Sequence, residues 1–457
     1  MAKLWQKGYE LDSLIEKFTV GEDWKLDQRL LKADCISSIA HARMLKQIGL
    51  LDPTELKALE AELRVIIRDV QQGTFSIAPT DEDGHTAIEN RLAEKLGETG
   101  KKIHTGRSRN DQVIAALRVY SRSAVLRVLE AGMEAAEAFL ALARENEKVP
   151  MPGRTHMQIA MPSSVGLWAA AYAEELLDDL LFLQTTSEHV DQSPLGSAAS
   201  YGVPLPLDRQ MVSDLLGFRT LQNNVLYANN SRGKFEALLL DAAEQIMITL
   251  SKAAQDLILW SMPEFGYFSL PKELCSGSSI MPQKRNPDML ELIRGKSATI
   301  SAYTQQVKQV IRALPSGYNR DMQETKEPFL RGLSLVHDSL KVMQLTISSL
   351  EVNEEVLRKA MPREIFATDA ALALVEGGMS FRDAYREIGT HPERVSLINP
   401  AEALEKRSST GTPGNLNLQH PEKVLKGLRE FLVEQKSRND SCMTGLAGGS
   451  VEIAELI

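Results

Sequence analysis

The chain has 457 residues, 43% hydrophobic and 25% charged, the balance of a soluble globular protein with several domains or one long body. Its net charge of −9 argues against nucleic acid as the main partner, because phosphate binding needs a basic face. Aromatic residues are scarce while Ala and Leu abound, which suits close-packed helices.

Cys35, Cys275 and Cys442 are far apart and odd in number, so neither a disulfide framework nor a metal-ligand spacing emerges. Cys275 reads as a small buried thiol rather than a nucleophile. Lys3, Lys7, Glu10 and Asp12 interrupt any apolar run near the start, and no later run is long enough to span a membrane. The expectation is a cytoplasmic protein without a signal peptide.

Residues 1–20 read as an extended lead-in. Residues 27–50 follow a helical pattern, with Leu30, Leu31, Ile36, Ile39 and Ala40 broadly on one face. Pro53, Thr54 and Glu55 open a second helix running to about residue 70. Residues 81–85 form an acidic turn before a short helix through Leu96. Next comes a polar stretch, 100–112, in which Lys101, Lys102, His104, Arg107 and Arg109 alternate with Gly, Thr, Ser and Asn. It ends at the mouth of a long helix, where free N–H groups favour an anion, and its Gly spacing is not that of a P-loop.

Very long helical patterns follow over 111–148, 162–189, 231–260, 287–314 and 325–350. They describe a bundle whose apolar stripes exceed what one chain covers. Between the first two, residues 151–158 place His156 in a Pro-Gly turn with Arg154 and Thr155, where an imidazole is an unusual packing choice. Residues 192–206 are a Gly/Ser/Pro-rich connection at a bundle end. Residues 315–326 are again polar and precede a helix. The expected architecture is all-α: an N-terminal helical domain over 1–110, a central long-helix bundle over 111–353, and a C-terminal helical domain over 354–457. Residues 410–421 read as a loop in the last of these, and the Gly-rich stretch 445–449 has no reading from pattern alone.

The most informative loop is 276–287. Gly277 and the serines give it freedom, and Pro282 and Pro287 then stiffen it. Ser278 or Ser279 offers a base or nucleophile, and Lys284, Asn286 and the loop N–H groups are donors for developing negative charge. There is no Gly-x-Ser-x-Gly elbow, so that type of hydrolase is not indicated.

Together these stretches resemble the fumarase/aspartase superfamily and, within it, the argininosuccinate lyases, over nearly the whole chain. The loop 277–287 is similar to the superfamily signature, with Gln283 typical of argininosuccinate lyases. Residues 105–112, 152–158 and 318–324 resemble that family's own motifs, in the right order. Three positions depart: Gly84 replaces an aliphatic residue, Asp23 stands where many members have a serine that touches substrate, and Arg285 replaces a lysine. These departures bear on fine substrate contacts.

The resemblance implies reversible β-elimination of argininosuccinate to arginine and fumarate, with no metal or cofactor. It implies Ser278 as base and His156, held by Glu291, as the residue that assists the leaving nitrogen, with Lys284 stabilising the intermediate. It implies substrate contacts from His85, Ser108, Arg109, Asn110, Thr155, Asn286, Tyr318, Gln323 and Lys326, and a homotetramer whose sites each draw on three chains. Rival readings are another lyase of the superfamily such as adenylosuccinate lyase, an inactive relative like the lens delta-crystallins, and a coiled-coil scaffold. Gln283 and the 105–112 motif speak against the first, the presence of Ser278, His156 and Lys284 against the second, and four polar motifs at helix ends against the third.

Overall fold

The computed structural model describes residues 12–454 and 456. The expected lead-in lies partly outside these residues, and the rest of it is not extended. Ser13–Val20 forms helix α1, because Asp12 accepts the N–H groups of Leu14 and Ile15. Short α2 (Asp23–Asp27) leads into α3 (Leu31–Gln47) and α4 (Pro53–Gln71). At α4 the side chain of Asp52 accepts from Thr54 and Glu55, while Glu55 accepts the Asp52 N–H, so both early N–H donors and the cap are satisfied. Helices α5 (Gly84–Leu96) and α6 (Glu98–Lys101) complete this part.

Helix α3 is unusual in burying Lys32, Asp34, Ser37, Ser38 and His41 beside its apolar residues. His41 is fully buried, and its Nε2 lies 2.9 Å from the carbonyl of Thr105, which can only accept, so the ring is the neutral Nε2–H tautomer. Burial, and then the Arg107 guanidinium, push this imidazole well below its ordinary value of 6.5. A depressed histidine means the unfolded chain binds the proton first. The His41 contribution to stability is therefore intact above about 6.5 and declines as pH falls below it, by up to about 1.4 kcal/mol per pH unit. Urea midpoints at pH 7 and pH 5 should show a smaller drop for His41→Gln, which keeps a donor for Thr105, than for the parent chain.

The bundle consists of α7 (Arg109–Glu145), α8 (Val165–Val190), α11 (Lys234–Ser261), α12 (Asp288–Ile311) and α13 (Lys326–Ser348). Between α8 and α11 lie two short helices, α9 (Arg209–Leu215) and α10 (Val225–Asn230). With 37 residues, α7 is about 55 Å long. Its start is fixed by Ser108, whose hydroxyl accepts the Asn110 N–H, and by Asp111, whose carboxylate accepts the Ser108 N–H. The other Asp111 oxygen accepts the N–H groups of Gly196 and Ala198 and so pins the Gly/Ser-rich connection against the α7 mouth.

Side-chain pairs fix the helix directions. Trp168 and Tyr172 of α8 bond to Asp256 of α11, and Thr249 bonds to Asp179, so α8 and α11 are antiparallel. Arg294 to Gln255 and Lys308 to Asp241 make α11 and α12 antiparallel. Lys341 to Glu134 places α13 alongside α7. The chain thus starts α7, α11 and α13 at one end of the bundle and α8 and α12 at the other. Among the described residues no helix is long and apolar enough to cross a membrane.

Residues 162–164, expected to begin a helix, instead end a strand. Strand β1 (Pro150–Thr155) pairs antiparallel with β2 (Gln158–Ser164), and α8 starts only after Ser164, which caps it. Beyond the bundle, α14 (Glu354–Lys359), α15 (Ala367–Glu376), α16 (Phe381–Thr390) and α17 (Pro400–Glu405) follow. Met361, Ile365, Phe366, Ala371, Ala384, Ile388, Val395 and Ala403 form a second core there, separate from the main one. The last helix, α18 (Gln419–Ala447), returns to α7 and α8, and Leu425, Leu428, Leu432 and Met443 join the main core. The Gly-rich stretch 445–449 gains a role here: Gly448 ends α18 in the left-handed conformation at φ 75°, with its N–H on Thr444. Cys275 is only half-buried, contrary to the expectation of a buried thiol, because it sits at the base of an open loop; Cys35 is buried.

Candidate active site

One group of expected residues gathers at the end of the bundle where α7 and α13 begin. Lys326, the first residue of α13, is 1% exposed, and its ammonium lies 2.5 Å from Asp27 and 2.8 Å from Asp23. Burial alone lowers a lysine, but Asp27 and Asp23 outweigh it and Lys326 ends above its ordinary value. Asp27, also pushed up by burial, is held lower by Lys326, while Asp23 stays raised because desolvation is its larger influence.

The second Asp27 oxygen accepts the Gly84 N–H, and the next residue, His85, is buried with Nδ1 2.5 Å from Asp34. Burial disfavours the imidazolium, yet Asp34, Asp83 and Asp27 together raise His85 above 6.5. Asp83 caps α5 and reaches Arg109 at 3.2 Å. Gln323 donates to the Thr19 carbonyl, and the Tyr318 ring, 39% exposed, lies under the Arg232 guanidinium. Ser108 and Asn110 are half-buried at the α7 start beside this group. Pattern reading missed Asp27, Asp34 and Asp83, the carboxylates that hold Lys326, His85 and Arg109. Their signal is polar residues on the buried side of α3 and just before it for Asp34 and Asp27, and a cap position before α5 for Asp83.

Lys326 is therefore not a loose surface cation. Lys326→Met should lower stability by about 3–5 kcal/mol, because it strands Asp23 and Asp27 without their partner. Chemical unfolding should register that loss, and removing one of the stranded carboxylates with Asp27→Asn in the same chain should recover part of it.

A second group lies at the opposite end. The loop 276–287 is closed at its base by reciprocal backbone bonds between Ser276 and Asn286. Beyond that base it stands clear of the body, with Ile280 83% exposed and Gln283 and Lys284 exposed. Within it the Ser278 hydroxyl oxygen accepts the N–H groups of Met281 at 3.1 Å and Ile280 at 3.3 Å. Asn286 donates to the Gly277 carbonyl at 3.4 Å. Among the described residues the Lys284 ammonium has no ion-pair partner. Glu291 follows, exposed, on the first turn of α12.

A third group is the hairpin tip. His156 and Met157 form a two-residue turn with φ of 51° and 64°, a conformation usually left to Gly or Asn, and Thr155 pairs with Gln158 across it. Thr155 and His156 are exposed. Arg154 steadies the tip through the Met157 carbonyl and lies over Phe265, near the segment that leads from α11 into the serine loop. The strained, exposed histidine needs an explanation beyond packing.

The chain therefore brings His85, Arg109, Tyr318, Gln323 and Lys326 together, but not with Ser278 or His156. Thr325, beside Lys326, and Ile311, the end of α12, both face the same glycine, Gly233. Glu291 lies almost a full helix away along α12, about 30 Å from Ile311. Among the described residues, no hydrogen bond or ion pair links His156 to Glu291 or to Ser278.

A lyase family model matches residues 7–301, and solved structures share the fold. EDDS lyase in complex with formate superposes with a TM-score of 0.79 at 22% identity, covering 96% of this chain and 95% of that one. The class II fumarase from Schistosoma mansoni gives 0.69 at 17% identity over 85% of this chain and 94% of its own. The chain is thus a member of the lyase family with the fumarase/aspartase fold.

Sequence relatives narrow this further. The chain is 43% identical to the argininosuccinate lyase of Sorangium cellulosum over 91% of its length and 96% of the relative's. The Thermotoga neapolitana argininosuccinate lyase is 43% identical over 84% and 97% of the two chains, and that of Bacteroides fragilis 44% over 91% and 92%. The chain belongs to the argininosuccinate lyase family.

Proposed function

We propose that this protein cleaves argininosuccinate reversibly into arginine and fumarate, serving arginine formation in the cytoplasm. The carrying observation is the identity of 43% to an argininosuccinate lyase that spans 91% of this chain and 96% of the relative. The reaction removes a proton from the carbon next to a carboxylate, which is a poor acid, and leaves a carboxylate of doubled negative charge. Fixed cations and N–H donors must meet that charge.

Ser278 is the base in this reading. Two loop N–H groups already aim at its oxygen and would stabilise the alkoxide it needs to be. It takes the carbon-bound proton, the electron pair forms the double bond of fumarate, and the carbon–nitrogen bond breaks. Lys284 and Asn286 face the extra charge of the intermediate. His156, oriented by Glu291, delivers a proton to the departing guanidino nitrogen. Arg109, Asn110, Ser108, Thr155, Tyr318, Gln323, Lys326 and His85 grip the carboxylates and polar groups of the substrate.

These groups lie at two ends of one bundle, so one chain cannot bring them onto one substrate molecule. We propose a homotetramer in which each site takes the serine loop, the hairpin tip and the α7/α13 mouth from different chains. Exposed Leu181, Phe182, Ile248, Leu292 and Leu345 on the bundle helices support burial against other copies. The test is the rise in fumarate absorbance on adding argininosuccinate to purified protein, with adenylosuccinate as control. A response to adenylosuccinate alone, or to neither, overturns the reading.

A further inference from the structure

The ion-pair geometry around Lys326 is lopsided. One buried ammonium serves two carboxylates, Asp27 at 2.5 Å and Asp23 at 2.8 Å, with Arg232 the other cation acting on Asp23. A substrate carboxylate arriving at Lys326 would be the third anion around this ammonium, with the Arg232 guanidinium a further cation acting on the group. At ion-pair distance like charges repel strongly at the effective dielectric of a protein surface. One of the two resident carboxylates therefore has to give way.

The two are not equally free. Asp27 is 2% exposed, and its other oxygen is tied to the Gly84 N–H. Asp23 is 15% exposed at its side chain and opens the short helix α2. It follows Gly21, at φ 54°, and helix α1, which buries none of its residues. That segment is tied to the site through the Thr19 carbonyl, which accepts from Arg320 at 2.6 Å and from Gln323 at 3.3 Å. Asp23 thus sits at the junction of α1 with α2, whose Trp24 and Leu26 pack against the main core, next to Lys326 and Gln323 of the expected substrate grip.

We propose that Asp23 is a positioning residue that holds Lys326 between turnovers and yields it to a substrate carboxylate, so that it weakens binding without taking part in the chemistry. This rests on the reading of Lys326 as a substrate contact. Removing the competing carboxylate leaves Lys326 paired with Asp27 alone and open to the ligand.

The experiment compares Asp23→Asn, Asp23→Ser and Asp23→Glu with the parent enzyme, by steady-state cleavage of argininosuccinate and by calorimetric binding of fumarate and succinate. The Asn and Ser variants should show KM and dicarboxylate Kd lower by about tenfold, with kcat within about twofold. The Glu variant should return toward the parent values. A KM that is unchanged or higher in the Asn and Ser variants overturns the proposal, and so does failure of both to fold, which assigns Asp23 to structure. If the parent enzyme does not cleave argininosuccinate, the functional reading fails on its own, and the dicarboxylate titrations still decide the role of Asp23.

Discussion

Ser278→Ala is expected to lower kcat by about 10²–10⁴-fold while leaving substrate affinity and the unfolding midpoint close to those of the parent. The hydroxyl is part of an exposed loop whose shape does not depend on it: the base of the loop is closed by Ser276 and Asn286 backbone groups. Losing the oxygen frees the N–H groups of Ile280 and Met281, which solvent can satisfy because both residues are exposed. What disappears is the proton acceptor, which matters only in the transition state, so the loss falls on kcat. Fumarate absorbance measures it. Turnover within about tenfold of the parent would move the base elsewhere, and the exposed Ser279 next to it is the first replacement to examine.

The helical skeleton was legible because its boundaries are written locally. Asp52 with Glu55, and Ser108 with Asp111, mark helix starts by the side chains that satisfy free N–H groups, and the long apolar periods do the rest. The hairpin at 150–164 was not legible, since Pro150, Pro152, Gly153 and Pro162 read as strand breakers and His156-Met157 is not a recognisable hairpin turn. Helix α1 was missed although Asp12, Leu14, Ile15 and Phe18 carry both a cap and a helical spacing. The chemical motifs were readable as residue types, but the carboxylates behind them were not. Asp27 and Asp34 are seven residues apart in a stretch whose apolar pattern accounts for the helix without them.

The separation of the motifs was in principle countable. In an antiparallel bundle each long helix reverses the chain, so segments preceding α7 and α13 share one end and segments preceding α8 and α12 share the other. The 105–112 and 318–326 motifs precede α7 and α13. His156 and the serine loop precede α8 and α12. Helix order alone therefore divides the candidate site in two, and the structure adds the distance: α12 spans about 36 Å between Asp288 and Ile311.

The second large effect tests the proposed sharing of each site among three chains. Ser278→Ala and His156→Asn should each be nearly inactive alone, yet mixing them under conditions that let subunits exchange should restore activity to about one quarter of the parent value. If a site takes its serine loop from one chain and its hairpin tip from another, random assembly of equal amounts gives each contributor a half chance of being intact. The product is about one quarter of sites without a lesion. If both groups came from the same chain, every site would carry one lesion and the mixture would stay dead. Neither substitution threatens the fold, because Ser278 and His156 lie on surface tips with no role in the main core. Exchange is verified separately by mass measurement on differently tagged chains, and light scattering checks that the active species is a tetramer. Mixed tetramers that demonstrably form and show no recovery would return the serine and the histidine to a common chain. A fully active monomer would remove the need for shared sites altogether, and the distance along α12 would then have to be bridged by a rearrangement within one chain.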